Sequence, residues 1–138
     1  MGLTSTGVDI GIVVSDGPAA LAFYRDLVGL THAGDNPFPG GGTMHRLMAG
    51  ESMIKVVVPE PVVSAAPPAG GIDAGRGFRY ITFSVDDLDD LIDRCRAASV
   101  PVTREATTMA PGVRIALVSD PDGNTVEFLE MRPSGGAS

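Results

Sequence analysis

The sequence predicts an α+β fold made of two copies of a βαβββ unit, and three observations carry that prediction. A β-branched run followed by an amphipathic helix occurs twice, an aspartate precedes each helix, and a short segment and a hairpin follow each helix. A switch between strand and helix periodicity in one short chain is typical of mixed architectures. At 138 residues the chain is long enough for one domain or for two interlocked halves.

The first unit is predicted over about residues 7–59. Residues 8–15 are rich in β-branched side chains, and Asp16, Gly17 and Pro18 then begin a helix that Gly29 ends. Proline in the first turn and glycine after the last are the expected punctuation of a helix. The helical face that should pack on the sheet consists of Leu21, Tyr24, Leu27 and Val28.

The second unit is predicted over about residues 78–131. Residues 78–85 form its first strand, and Asp86, with Asp89 three residues later, begins its helix. The buried stripe of that helix is predicted to be Leu88, Leu91, Ile92 and Cys95. Cys95 is therefore interpreted as a small core residue rather than a reactive thiol.

A short segment and then a hairpin follow each helix. Residues 44–48 are predicted to pair with 53–58, and residues 113–118 with 125–130 around the turn-forming DPDG. Residues 60–77, rich in Pro, Ala and Gly, are interpreted as the linker between the units. Residues 35–43 suggest a flexible loop that could cover a site, and residues 132–138 a disordered tail.

Composition excludes several classes of function. The net charge of −7 argues against a nucleic acid partner, because binding to phosphates depends on clustered Lys and Arg. There is neither an apolar run of membrane-spanning length nor the pattern of a signal peptide, so we expect no membrane association and a cytoplasmic location. A single cysteine cannot form an internal disulfide, which fits a reducing compartment.

Strand alternation predicts which side chains lie away from the helices. If Val8, Ile10, Ile12 and Val14 pack under the first helix, Asp9 faces the other way. The same count places Lys55, Tyr80, Thr82 and Glu127 on that far face. With even-numbered hairpin loops, Arg46 lies across from Lys55 and Ala116 across from Glu127, with Arg114 one step away; Met44, Met48 and Met53 join them.

Such a mixture of charged, aromatic and methionine side chains is unlike a second core. It is typical of the lining of a partly wet cavity that binds a small molecule. The alternative is a simple solvated face, which antiparallel sheets often have. Patterning alone leaves both interpretations open.

Four stretches together resemble the vicinal oxygen chelate superfamily of glyoxalases, bleomycin-resistance proteins and ring-cleaving dioxygenases. They are DIGIVVSDGPAALAFYRDLVGL, YITFSVDDLDDLIDRC, ALVSDPDGNTVEFLE and the hairpin GESMIKVVV, and they span nearly the whole chain. The resemblance implies that two modules form an open, mixed-sheet barrel around a cavity lined by the far-face residues. It also implies a homodimer.

Metal-binding members of that family take ligands from the first and last strand of each module. The matching positions here are Asp9, Lys55, Tyr80 and Glu127, of which only Glu127 agrees fully. An ammonium group repels a metal ion and a neutral phenol is a poor ligand. We therefore expect neither a metal nor another cofactor, with a weak site on Asp9 and Glu127 plus waters as the alternative.

The two histidines are interpreted as structural. His32 is expected in a connecting segment, and His45 is expected on the helix-facing side of its strand. The sequence analysis gives neither residue a catalytic or ligand role.

Three functions compete. The first is a metal-independent lyase or isomerase in which Asp9 or Glu127 moves a proton, Tyr80 donates a hydrogen bond and Lys55 beside Arg46 holds an anionic group. Its structural alternative is a Lys55–Glu127 ion pair that replaces the metal. The second is a drug- or metabolite-sequestering protein with an apolar, Met-rich wall, although few aromatic rings are available. The third, a scaffolding module, is disfavoured by the charges on the far face.

Overall fold

The computed structural model describes residues 2–132. The chain divides between Ala66 and Pro67 into two compact units, each with one four-stranded mixed sheet. Within each unit the first and last strands pair in parallel at one end of the strand order, and the other neighbours are antiparallel. This is the predicted α+β class with two βαβββ units. Among the described residues no helix is both long enough and apolar enough to cross a membrane.

The first unit has the order strand, helix, three strands, and its sheet has the strand order β1-β4-β3-β2. Its elements are β1 (Asp9–Val13), α1 (Gly17–Leu21), a π-helical continuation (Ala22–Val28), β2 (Thr31–Pro37), β3 (Gly42–Ala49) and β4 (Ser52–Pro59). Asp16 caps α1 by accepting a hydrogen bond from the Ala19 amide at 3.0 Å. Gly29 ends the helix in the left-handed conformation, at φ 97°, as predicted.

The second unit repeats that order, and its sheet has the strand order β5-β8-β7-β6. Its elements are a single 3₁₀ turn (Ile72–Ala74), β5 (Tyr80–Val85), α2 (Leu88–Ala97), β6 (Val102–Ala110), β7 (Val113–Ser119) and β8 (Thr125–Met131). The predicted stripe of α2 is confirmed, since its four members Leu88, Leu91, Ile92 and Cys95 are all buried. Burial raises the pKa of the Cys95 thiol, as expected for a core residue.

Several local predictions are wrong. The cap of α2 is Asp87, which accepts from the Asp90 amide, and not Asp86. Residues 35–43 are a hairpin rather than a flexible loop, with Phe38 and Gly41 closing the turn between β2 and β3. Of the predicted disordered tail, Arg132 is tied by its amide to the Gly112 carbonyl at 2.8 Å, and residues 133–138 lie outside the described part of the chain.

The helix of the first unit buries a different stripe from the one predicted. Ala20, Phe23 and Tyr24 are buried, whereas Leu21, Leu27 and Val28 are only half-buried. The π-helical continuation has more than 3.6 residues per turn and rotates by a smaller angle per residue, so a count based on the α-helical period places the stripe incorrectly. Val8, just before β1, and Ile10 in β1 are exposed, because the outer strand is covered less than its neighbour β4.

Candidate functional site

A row of residues without apolar side chains crosses the far face of the first sheet. Pairing places Gly11 beside Lys55, Lys55 beside Arg46 and Arg46 beside Gly34. The predicted pairing of Arg46 with Lys55 is thereby confirmed. Two cations therefore lie side by side, with a glycine on each flank.

Lys55 is held by Asp9, the far-face residue of the first strand. The Nζ of Lys55 lies 3.8 Å from Oδ2 of Asp9, and their side chains are 38% and 53% exposed. Lys55 is also the only lysine in the sequence. Lys55 thus forms a half-exposed ion pair with Asp9, whereas the ion pair considered from the sequence was Lys55 with Glu127.

Arg46 is positioned by the glycine opposite it. A Cβ atom on Gly34 would come within 2.5 Å of Nη2 of Arg46, so a side chain at position 34 would displace the guanidinium from this place. Nη2 donates to the Ala33 carbonyl at 3.5 Å, while the buried Nε has no hydrogen-bond partner among the described residues. A buried donor without a partner is costly, so the Arg46 side chain is held here at some cost in stability.

The methionines border this row, as predicted. Met48 pairs with Met53 on one side of the Lys55–Arg46 row, and Met44 pairs with Val57 on the other. All three methionines are half-buried. Flexible thioether side chains next to two cations would suit a ligand with both an anionic and an apolar part.

The far face of the second sheet carries one acid among apolar side chains. Thr82 pairs with Glu127, and its hydroxyl donates to Oε1 of Glu127 at 2.7 Å. Oε2 accepts no hydrogen bond from the residues in the range 2–132. Tyr80, two positions before Thr82, is 52% exposed. The half-buried neighbours on the same face are Ile115, Leu117 and Leu129.

The predicted placement of Arg114 on this face is wrong. Glu127 pairs with Leu117 rather than Ala116, and Ala116 pairs with Phe128 in the core. Arg114 therefore lies on the helix-facing side, where Nη2 lies 3.1 Å from Oδ2 of Asp89 on α2. Its guanidinium stabilises the packing of helix on sheet, so we no longer assign it to ligand binding.

The error follows from the loop between β7 and β8, which has five residues instead of an even number. Asp120 is buried and its Oδ1 accepts from the amides of Asp122 and Asn124, at 2.9 and 2.8 Å. Its Oδ2 accepts from Nδ2 of Asn124 at 2.9 Å. The DPDGN motif is thus a side-chain-closed turn that sets the register of the last hairpin.

A buried acid that the sequence analysis missed lies on the helix-facing side of the same sheet. Glu130 accepts from the Leu88 amide at 2.8 Å and pairs with Arg114 and Arg132. The amide of Leu88, with these two guanidinium groups, holds the pKa of Glu130 below its usual range. The sequence feature that could have identified this acid is its place in the alternation of β8, where a glutamate occupies a position expected to be apolar.

A second missed cluster lies in the first unit and contains both histidines of the chain. Oδ1 of Asp35 lies 2.6 Å from Nε2 of His32 and 2.7 Å from Nδ1 of His45. His32 is on strand β2, not in a connecting segment, whereas His45 faces the helix as predicted, with Nε2 toward Gly17 in α1. Hydrogen bonds from His45 and His32 lower the pKa of Asp35.

The residues at the family's usual ligand positions do not fit a metal ion. In the first unit the Asp9 carboxylate is paired with an ammonium group. In the second unit the matching pair is a half-exposed phenol, Tyr80, and a glutamate that a threonine hydroxyl already contacts. An ammonium group repels a divalent ion and a neutral phenol binds one poorly, so no catalytic step is derived through a metal at these positions.

Comparison with known proteins agrees with this fold. The model of the Glyoxalase/Bleomycin resistance protein/Dioxygenase superfamily matches residues 8–128. A lactoylglutathione lyase of Salmonella typhimurium is 30% identical over 132 aligned positions, covering 88% of this chain and 90% of that protein.

Solved structures show the same likeness. A glyoxalase family protein from Bacillus cereus has a TM-score of 0.83 at 17% identity, covering 96% of this chain and 97% of its own. A lactoylglutathione lyase from Agrobacterium tumefaciens has a TM-score of 0.63 at 26% identity, covering 94% and 96%. The first of these likenesses concerns the fold alone.

Proposed function

The chain belongs to the Glyoxalase/Bleomycin resistance protein/Dioxygenase superfamily, and from that premise we propose that it is a metal-independent lyase or isomerase acting next to a carbonyl group. Relatives named lactoylglutathione lyase support the glyoxalase-like lyase class. The observation that carries the metal-independent part is the contact of 3.8 Å between Lys55 and Asp9. It places an ammonium group and a carboxylate together where the family's metal-binding members have ligands.

The first unit supplies both charges that such a reaction needs. A carboxylate takes the proton from the carbon next to the carbonyl, and the electron pair of that C–H bond moves to the carbonyl oxygen. A nearby cation stabilises the resulting oxyanion. Asp9 is one candidate base, Lys55 is the candidate cation, and the guanidinium of Arg46, which lies beside Lys55, would hold an anionic group of the substrate.

The second unit supplies another candidate base. The Thr82 hydroxyl fixes one oxygen of Glu127 and leaves the other for proton transfer. Tyr80 is exposed enough to donate a hydrogen bond to a ligand. We predict that Glu127 acts as a base and that Tyr80 donates a hydrogen bond to the ligand. Comparing Glu127→Gln with Asp9→Asn separates the two candidate bases.

The test uses lactoylglutathione, the compound named in the relatives, in deuterated water with a chelator present. We expect deuterium to enter the carbon next to the thioester carbonyl, because proton abstraction there exchanges with solvent. Lys55→Met should slow exchange by about 100-fold or more. Of Asp9→Asn and Glu127→Gln, the variant that removes the base should slow exchange to a similar extent. Glu51→Gln, in an exposed turn, is the matched control.

Two results would reject this function. Exchange that requires an added metal removes the metal-independent proposal. Exchange that proceeds at the wild-type rate in both Lys55→Met and the two acid variants removes the assigned residues.

A second candidate is a binding protein without catalysis, favoured by the Met44, Met48 and Met53 border around Lys55 and Arg46. It predicts that an anionic ligand with an apolar part raises the melting temperature with no turnover of any kind. Lys55→Met should then remove binding. Turnover of the bound compound would reject this candidate.

We also infer a homodimer in the cytoplasm. Apolar side chains are exposed along the outer edge of the first sheet: Ile10 and Val13 in β1, and Val8 just before it. A second copy of the chain would cover them. Sedimentation equilibrium should give twice the chain mass, and Val13→Lys should shift the protein to monomers. A monomeric wild type would contradict the inference.

A further inference from the structure

A β-bulge in the outer strand of the first sheet brings both histidines of the chain onto one face. Strand alternation would put His32 and Asp35, three residues apart, on opposite faces. The pairing with β3 shifts between His32 and Gly34, so that His32 pairs with Leu47 and Asp35 with His45. Bulges re-aim side chains in this manner. Both histidines and the aspartate therefore share the helix-facing side.

The donor atoms of the three side chains converge. Each residue offers one ligand atom, and these atoms all lie within 4.8 Å of one another. The imidazoles have distinct directions, since His32 uses Nε2 and His45 uses Nδ1, and the two ring centroids are 5.8 Å apart at an interplanar angle of 78°. Two neutral imidazoles and one carboxylate form a donor set suited to first-row transition metals.

We propose that His32, Asp35 and His45 form a binding site for one divalent transition-metal ion of the zinc type, separate from the family's usual ligand positions. From the sequence, no metal was expected and both histidines were interpreted as structural; the site proposed here departs from both expectations. Bonds to zinc of about 2.0–2.1 Å in tetrahedral geometry need donors about 3.3 Å apart. The two histidine-to-aspartate distances of 2.6 and 2.7 Å would open by well under 1 Å on binding.

The surroundings of the cluster permit an ion to enter. The side chains of His32, His45 and Asp35 are 26%, 15% and 48% exposed, so the site is partly open and its aspartate is accessible. The cation that acts on Asp35 from the helix is Arg25, whose guanidinium is bonded to Asp26 at 2.8 and 3.2 Å. That neighbouring carboxylate offsets much of its charge.

Binding would link the bulged outer strand to its neighbour. Asp35 pairs with His45 across the β2–β3 ladder, and His32 lies on the far side of the bulge. One ion would connect β3 to the parts of β2 that lie before and after the bulge. Three protein ligands also leave a fourth position for water, which is the arrangement of an open site.

The test is a titration of the full chain, stripped of metal with a chelator, with Co²⁺ followed by absorbance and with Zn²⁺ in competition. We expect one equivalent to bind. Each of His32→Gln, His45→Gln and Asp35→Asn should weaken the affinity for the metal by at least about 100-fold. Even the mutation of residues that only hydrogen-bond to metal ligands lowers metal affinity by about 10- to 100-fold. Asp9→Asn and Glu127→Gln, matched controls at the family positions, should bind as the wild type does.

A measurement on the unmodified chain covers the case in which a variant does not fold. The sequence has two histidines, so the imidazole region of the NMR spectrum contains only their signals. Saturating Zn²⁺ should shift both together. Absence of saturable binding, unshifted imidazole signals, or an affinity unchanged by His32→Gln and His45→Gln would overturn the site.

The outcome is distinguishable from that of the proposed function. Metal lost only in the histidine and Asp35 variants supports this site whether or not the chain turns over lactoylglutathione. Metal lost in Asp9→Asn or Glu127→Gln, but kept in the histidine variants, overturns both this site and metal-independent catalysis.

Discussion

The two units share one strand order and one helix placement, and they differ in the positions of their Arg and Lys side chains relative to the sheet faces. In the first unit, Asp9, Lys55 and Arg46 lie on the far face and are accessible. In the second unit, the denser set of charges, Glu130 with Arg114 and Arg132, lies on the helix-facing side around a buried carboxylate. We propose that the charges of the first unit bind a ligand, whereas those of the second unit stabilise the packing of helix on sheet.

The largest expected effect comes from removing the buried carboxylate of the second unit. Glu130→Ala removes the acceptor of the Leu88 amide and one anionic partner from each of two guanidinium groups. We expect a loss of about 3 kcal/mol in the free energy of unfolding. Asp35→Ala, on the same face of the first unit but half-exposed, should cost less than about 1 kcal/mol. Urea denaturation measures both. Equal losses would remove the contrast between the units.

The hairpin turns differ in the same direction. Asp120→Ala removes three hydrogen bonds that close the last turn, so we expect a loss of about 2 kcal/mol. The corresponding turn of the first unit, between β3 and β4, carries exposed Glu51, and Glu51→Ala should change stability by less than about 0.5 kcal/mol. Chemical unfolding of both variants is the measurement. A neutral Asp120→Ala would show that the turn backbone alone sets the register.

Acid should weaken the second unit through Glu130. Its pKa is lowered in the folded state, so its contribution is complete above the unfolded value of about 4.3 and disappears as the pH falls through the folded value. The stability difference between wild type and Glu130→Gln should therefore be constant near neutral pH and shrink below about pH 4. A difference that grows in acid would mean that Glu130 is not the group responsible.

Much of the fold was predictable because its signals are local. Asp16 before α1, Gly29 after the helix and the β4 pairing of Arg46 with Lys55 follow from capping and alternation. The placement of Arg114 failed because a side chain, Asp120, closes an odd-numbered turn, and period-two counting carries an error of one residue through the whole strand.

Within the first unit, the positions of the candidate site residues were predictable from the sequence, but their contacts were not. Asp9 and Lys55 were placed correctly from strand alternation, but their mutual contact depends on diagonal neighbours in parallel strands. The cluster of His32, Asp35 and His45 was missed because a bulge reverses alternation, and nothing in a three-residue spacing marks a bulge. Nonlocal pairing decides both features.

The smallest expected change in stability is the most informative for function. Lys55 and Asp9 form a half-exposed pair, and such pairs contribute less than about 1 kcal/mol, so Lys55→Met should leave the free energy of unfolding almost unchanged. If the far face of the first unit binds ligand, the same substitution should nevertheless slow exchange by about 100-fold. Urea denaturation and the deuterium assay on one preparation separate the two effects. A stability loss as large as that of Glu130→Ala would instead assign Lys55 to packing, and the contrast between the two units would fail.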